Sequence, residues 1–124
     1  MLKIGLIGAG FMGSMHAACY AALGQPIAAV ADLRAEKRAE MADKYGCAVY
    51  ETGLELIEKA DVDVIDICLP TYLHTRHALA AMEKVPAVFI EKPVALTAEE
   101  GEALLTKKWG VQDKRNLYKQ TLLK

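Results

Sequence analysis

Short apolar runs alternate along the chain with longer stretches in which apolar residues recur every three or four positions, and glycine, proline or a cap-forming residue separates them. Leu2 to Ile7 is the first run, β-branched and ending in glycines, as suits a strand buried on both faces. Phe11 to Leu23 places Met12, Met15, Cys19 and Ala22 at helical spacing, with Gly24 positioned to stop the helix. Pro26 introduces a second strand, Ile27 to Ala31, which Asp32 closes. A helical pattern from Arg34 to Lys44 leads through Tyr45-Gly46 to a minor strand, Ala48 to Tyr50. Thr52, with Glu55 at the capping-box position, starts a helix through Lys59, and Val64 to Leu69 is an apolar strand ended by Pro70. Tyr72 to Lys84 reads as a helix, Ala87 to Ile90 as a strand, and Thr97 to Thr106 as a helix with Glu100 three residues after its cap.

This is a β-α unit repeated five times with short connections. Each crossover returns the chain in the same direction, so the pattern predicts a doubly wound α/β domain on a mostly parallel sheet, a Rossmann fold. A length of 124 residues suffices for one apolar core but not for two domains of ordinary size. A hydrophobic share of 53% with 25% charged residues excludes intrinsic disorder.

Charge divides the chain unevenly. Residues 1–106 carry nine Lys/Arg and fifteen Asp/Glu, a net of −6, whereas residues 107–124 carry six Lys/Arg and one Asp, a net of +5. The expected organisation is one α/β domain over 1–106, whose ligand the motifs below address, and an atypical basic tail over 107–124, helical or disordered, with Leu117, Tyr118, Thr121 and Leu122 as a weak apolar face. The overall charge of −1 recruits neither nucleic acid nor an anionic membrane, which leaves a small molecule as the expected partner. Cys19, Cys47 and Cys68 form no CxxC pair, so they read as reduced thiols rather than a metal or redox site. The glycine-broken stretch Ile4 to Ala18 falls short of the roughly 20 apolar residues that span a bilayer. A cytoplasmic protein without a membrane segment is the expectation.

Gly8-Ala9-Gly10-Phe11-Met12-Gly13 is a G-x-G-x-x-G sequence between a predicted strand and a predicted helix, the context this motif requires. Gly8 allows a tight turn, Gly10 lets backbone approach a pyrophosphate, and Gly13 permits close packing of helix on strand. The N–H groups of Phe11 and Met12 then open the helix toward the phosphates. A turn that merely connects two elements is the plainer reading. Asp32, nineteen residues beyond Gly13 at the end of the second strand, favours the ligand, because an acid there accepts hydrogen bonds from a ribose and repels a 2′-phosphate. That points to NAD, while Arg34 keeps NADP open. Leu69-Pro70-Thr71 and His74 fall at the carboxyl edge of the sheet, where open α/β folds bind ligands; Thr71 equally suits a helix cap and His74 a structural role. Glu91-Lys92-Pro93 brings an acid, a base and a bend to the same edge. Lys92 there suits a hydrogen bond to a substrate hydroxyl, or with Glu91 a plain surface ion pair.

Taken together, these residues resemble the Gfo/Idh/MocA oxidoreductases, which include glucose-fructose oxidoreductase and inositol dehydrogenase. The resemblance covers residues 2 to about 106 and rests on Ile4 to Gly13 followed by His16, on Ala31-Asp32, on Cys68-Leu69-Pro70-Thr71 followed by His74, and on Glu91-Lys92-Pro93 leading into Ala95-Leu96-Thr97. It implies hydride transfer between a nicotinamide ring and a sugar, polyol or related hydroxyl compound, with Lys92 near the reacting oxygen and Glu91 and Pro93 shaping its loop. Further catalytic groups in that family come from a second domain, whose pattern is absent here. From Lys107 onward the family pattern lapses, which a truncation, a reading-frame disruption or a natural stand-alone module would each explain. The expected activity is therefore a cofactor-binding half that is inactive without its substrate half. A non-catalytic nucleotide-binding or sensor module is the alternative, and a Rossmann domain of another reductase class a third. Surface left uncovered by a missing domain also predicts self-association into a homo-oligomer.

Overall fold

The structure, a computed structural model, describes residues 2–109, the last three through their backbone alone. Five β-α units follow one another: β1 (Ile4–Ile7), α1 (Phe11–Ala22), β2 (Ile27–Ala31), α2 (Ala35–Tyr45), β3 (Ala48–Tyr50), α3 (Gly53–Lys59), β4 (Val64–Ile67), α4 (His74–Lys84), β5 (Ala87–Ile90) and α5 (Ala98–Trp109). A single 3-10 turn, Thr71–Leu73, precedes α4. All strand pairs are parallel, in the order β3-β2-β1-β4-β5, and this is the α/β Rossmann arrangement the pattern predicted.

Side-chain alternation along the central strands builds a core on each face of the sheet. Leu6, Ile27 and Val30 pack with Ala17 and Met41 beneath α1 and α2. Ile7, Ala29, Ala31, Ile65 and Ile67 pack with Leu56, Ala78 and Leu104 beneath α3, α4 and α5. β1 is buried throughout, which is why its sequence lacks polar alternation.

Helix ends follow the local chemistry. After α1, Gly24 at φ +71° lets its N–H reach Ala21 O while Gln25 N–H reaches Tyr20 O, the paired bonds of a Schellman stop. Thr52 and Thr97 cap α3 and α5 by accepting from the N–H groups of Glu55 and Glu100. Glu100 returns the bond to Thr97 N–H, completing a capping box.

Sheet order fixes where a ligand can bind. The chain leaves β1 toward β2 and β3, then crosses back to β4 and β5, so the direction of winding reverses between β1 and β4. A crevice opens outside the carboxyl ends of the strands at such a switch point. α5 runs to Trp109, so the change of composition at Lys107 falls inside a helix. The rest of the expected basic tail, 110–124, lies outside the described residues.

Candidate functional site: the carboxyl edge of the sheet

Three loops meet at the switch point. Gly8 stands at φ +96°, and a Cβ there would meet Cys68 O at 2.6 Å and Leu69 Cδ2 at 3.3 Å. A Cβ on Gly13 would lie 1.8 Å from Gly8 O, so α1 can sit this close to its own loop only without a side chain there. At Gly10 the nearest neighbour is Arg34 Nη2 at 3.7 Å, and the space above its backbone is otherwise open. The cradle thus closes where packing demands glycine and opens at the N-terminus of α1. Phe11, 81% exposed, and Met12 turn their side chains to solvent, leaving their backbone N–H groups as what they offer a phosphate.

Asp32 ties the second loop to the first. Its carboxylate accepts from Ala9 N–H at 2.8 Å and from Arg34 N–H at 2.9 Å, and the Arg34 guanidinium forks across both oxygens at 3.0 Å. Burial, which leaves Asp32 8% exposed, works to raise its pKa, but the Arg34 and Ala9 bonds outweigh it and hold the carboxyl down at about 2. An ionised acceptor therefore sits beside Gly10, with a half-exposed cation on it.

The third loop holds the remaining predicted residues. Thr71 gives no side-chain cap to the turn or to α4, so its hydroxyl is not spent on the helix. His74 is 1% exposed, and its ring lies between Leu69 O at 2.7 Å and Pro93 O at 2.9 Å. It reaches the edge by packing between two of its loops, with one ring N–H to give to one of these carbonyls. Lys92 is exposed, and its bond to Pro93 is cis. Glu91 forms no pair with Lys92; it turns inward to His16 Nε2, its Oε1 2.7 Å away. The surface ion pair is thereby replaced by a different contact.

That contact belongs to a polar cluster the sequence reading passed over. Asp66, in the middle of β4 and 0% exposed, accepts from Tyr20 O–H at 2.6 Å and faces His16 Nδ1 at 2.7 Å. Cys68 adds a longer S–H bond to Asp66 Oδ1, 3.4 Å, and lies 3.3 Å from His16 Nδ1. Burial, reinforced by the nearby carboxylates, pushes the Cys68 thiol and the Tyr20 phenol well up, so both stay protonated donors. Ligand-type atoms of His16, Asp66 and Cys68 fall within 4.8 Å of one another. Their mutual hydrogen bonds account for that closeness, and we read the cluster as a hydrogen-bond network. One signal was available: a lone acid in the otherwise apolar run Val64–Ile67 must find donors on the helix above it.

A family model described as "Oxidoreductase family, NAD-binding Rossmann fold" (GFO_IDH_MocA) matches residues 2–109. The chain is 36% identical to levoglucosan dehydrogenase of Pseudarthrobacter phenanthrenivorans, over 83% of this chain and 29% of that protein. It is 37% identical to UDP-N-acetylglucosamine 3-dehydrogenase of Acidithiobacillus ferrooxidans, over 94% of this chain and 35% of that protein. Among solved structures, levoglucosan dehydrogenase in complex with NADH and L-sorbose superposes with a TM-score of 0.78 at 33% identity, covering 87% of this chain and 31% of that one. The chain thus spans about a third of the length of these relatives. Among the described residues no helix is long and apolar enough to cross a membrane. With a glycine cradle at the switch point, an ionised acid at the end of β2 and a family match over all the described residues, the chain belongs to the Gfo/Idh/MocA oxidoreductases as an NAD-binding Rossmann domain.

Proposed function

We propose that the domain binds NAD(H) in preference to NADP(H) and serves the cofactor half of a dehydrogenase acting on a sugar, polyol or related hydroxyl compound. The observation that carries this is the Asp32 carboxylate, ionised down to about pH 2 and joined to Ala9 N–H of the glycine loop. In this reading the diphosphate lies over the Gly10, Phe11 and Met12 amides, and the adenosine ribose hydroxyls replace Arg34 as donors to Asp32. A 2′-phosphate would meet Asp32 with like charge, partly offset by Arg34. The backbone of Leu69, Pro70 and Thr71 lines the crevice beyond, and His74 and Glu91 shape it from behind. When bound, the nicotinamide supplies the hydride acceptor or donor. Lys92 then hydrogen-bonds the oxygen of the reacting carbon, where charge develops. Turnover needs a substrate held at near-attack distance, which is the work of a substrate domain such as the full-length relatives' greater length allows. By this account the Rossmann domain by itself binds cofactor without turning over, and the protein works as a homo-oligomer in the cytoplasm.

Calorimetric titration with NADH and NADPH, on the chain as it stands and on Asp32→Ala, tests the assignment. NADH should bind more tightly than NADPH, and the substitution should weaken NADH by about tenfold or more, the worth of a lost charge-assisted bond. It should also narrow the preference, because Arg34 is released. Equal affinities before and after substitution would remove Asp32 from the site. Substrate-dependent NADH formation with a panel of sugars and polyols separates a working dehydrogenase from a nucleotide-binding or sensor module.

A further inference from the structure

The Glu91–Lys92–Pro93 segment is gripped on both sides by imidazoles from different helices. His16 of α1 holds the Glu91 side chain at 2.7 Å, and the His74 ring of α4 packs between Pro93 O at 2.9 Å and Leu69 O at 2.7 Å. Lys92, exposed between the two grips, has no carboxylate partner among the described residues.

The chemistry at His16 is unusual. Each ring nitrogen has a carboxylate oxygen 2.7 Å away, Asp66 Oδ2 on one side and Glu91 Oε1 on the other. Ionised carboxylates only accept hydrogen bonds, and a neutral imidazole has a single N–H to give. A doubly protonated ring satisfies both contacts, and their length is that of charge-assisted bonds. The other groups facing the ring are the Cys68 thiol from the end of β4 and Phe89 of β5, whose ring meets His16 edge-on at 6.4 Å. Tyr20, one turn along α1, reaches the same Asp66 oxygen. Burial opposes the charge on His16, but Asp66 and then Glu91 overcome it, so the ring holds its second proton more firmly than a free histidine.

The two carboxylates are not equivalent. The Asp66 side chain is wholly buried, whereas that of Glu91 is 31% exposed. When the ring loses a proton, the remaining N–H stays with Asp66, which water cannot reach, and Glu91 is released to solvent. We infer that His16, as an imidazolium shared between Asp66 and Glu91, is the positioning residue that fixes the Lys92 loop at the cofactor edge, with His74 as the second grip. The importance given to Lys92 rests on the proposed function; the coupling between His16 and the loop does not.

The test is NMR on the full 124-residue chain, labelled with 15N, from pH 5 to pH 9 without cofactor. Both ring nitrogens of His16 should carry protons at neutral pH. The Lys92 backbone amide should shift with the same midpoint as the ring. Glu91→Gln, which leaves the donors to Asp66 in place, should move the ring midpoint downward and abolish the matching titration at Lys92. A ring with one N–H at neutral pH, or a Lys92 amide that ignores the ring's titration, would overturn the inference. A failure to bind NADH would strike the proposed function and leave these readouts untouched.

Discussion

Two buried carboxylates, Asp32 just past the end of β2 and Asp66 within β4, belong to the two neighbours of β1 and find different partners. Asp32 takes a guanidinium and two backbone amides; Asp66 takes an imidazole, a phenol and a thiol. With its carboxyl held at about 2 against about 3.9 for a free aspartate, ionised Asp32 stabilises the fold by roughly 2 kcal/mol. That contribution is present above about pH 4 and is lost as the pH falls through about 2. His16 behaves in the opposite sense. Its pKa is raised in the fold, so its contribution is complete below about pH 6.5 and fades as the pH climbs through the folded value. Stability should therefore peak between about pH 4 and pH 6.5, and thermal unfolding from pH 2 to pH 9 checks it. A maximum above pH 8 would contradict the His16 account. Asp32 was legible in the sequence because its distance from Gly13 is set by one helix and one strand. The partner of Glu91 was not, since His16 stands 75 positions away and meets it only because its side chain reaches from α1 to the residue after β5.

Helix and strand identity came through where the chemistry is local. β2, β3 and β5 were readable to the residue, bounded by proline, glycine or charge on either side. The misjudged ends have physical causes. β1 begins at Ile4 rather than Leu2 because the Lys3 backbone is bonded to Asp63, through its side chain and its N–H. β4 stops at Ile67 because Cys68 and Leu69 turn into the crevice beside Gly8. α5 passes Thr106 because a change of charge does not by itself break a helix. The junction of β1 with α1 tolerates least. A methyl group at position 13 would collide with Gly8 O, so Gly13→Ala should cost about 3 kcal/mol in urea unfolding and displace the phosphate cradle. A variant as stable as the parent would show that α1 can move away from its loop.

At the scale of the whole molecule, the edge beyond β4 is the least finished surface. β5 pairs with β4 alone among the described strands, and Phe89 on it is 58% exposed. An open strand edge with an exposed aromatic residue invites pairing. Light scattering should show mass above that of the monomer at high concentration, reduced in Phe89→Lys; a clean monomer would count against it. The central claim concerns the carboxyl edge of the sheet and is tested most directly by adding NADH to the 15N-labelled chain. The amides of Gly10, Phe11, Met12 and Asp32 should move together and saturate, with Lys92 responding as the nicotinamide end settles. Unchanged spectra from well-folded protein at millimolar NADH would contradict the account.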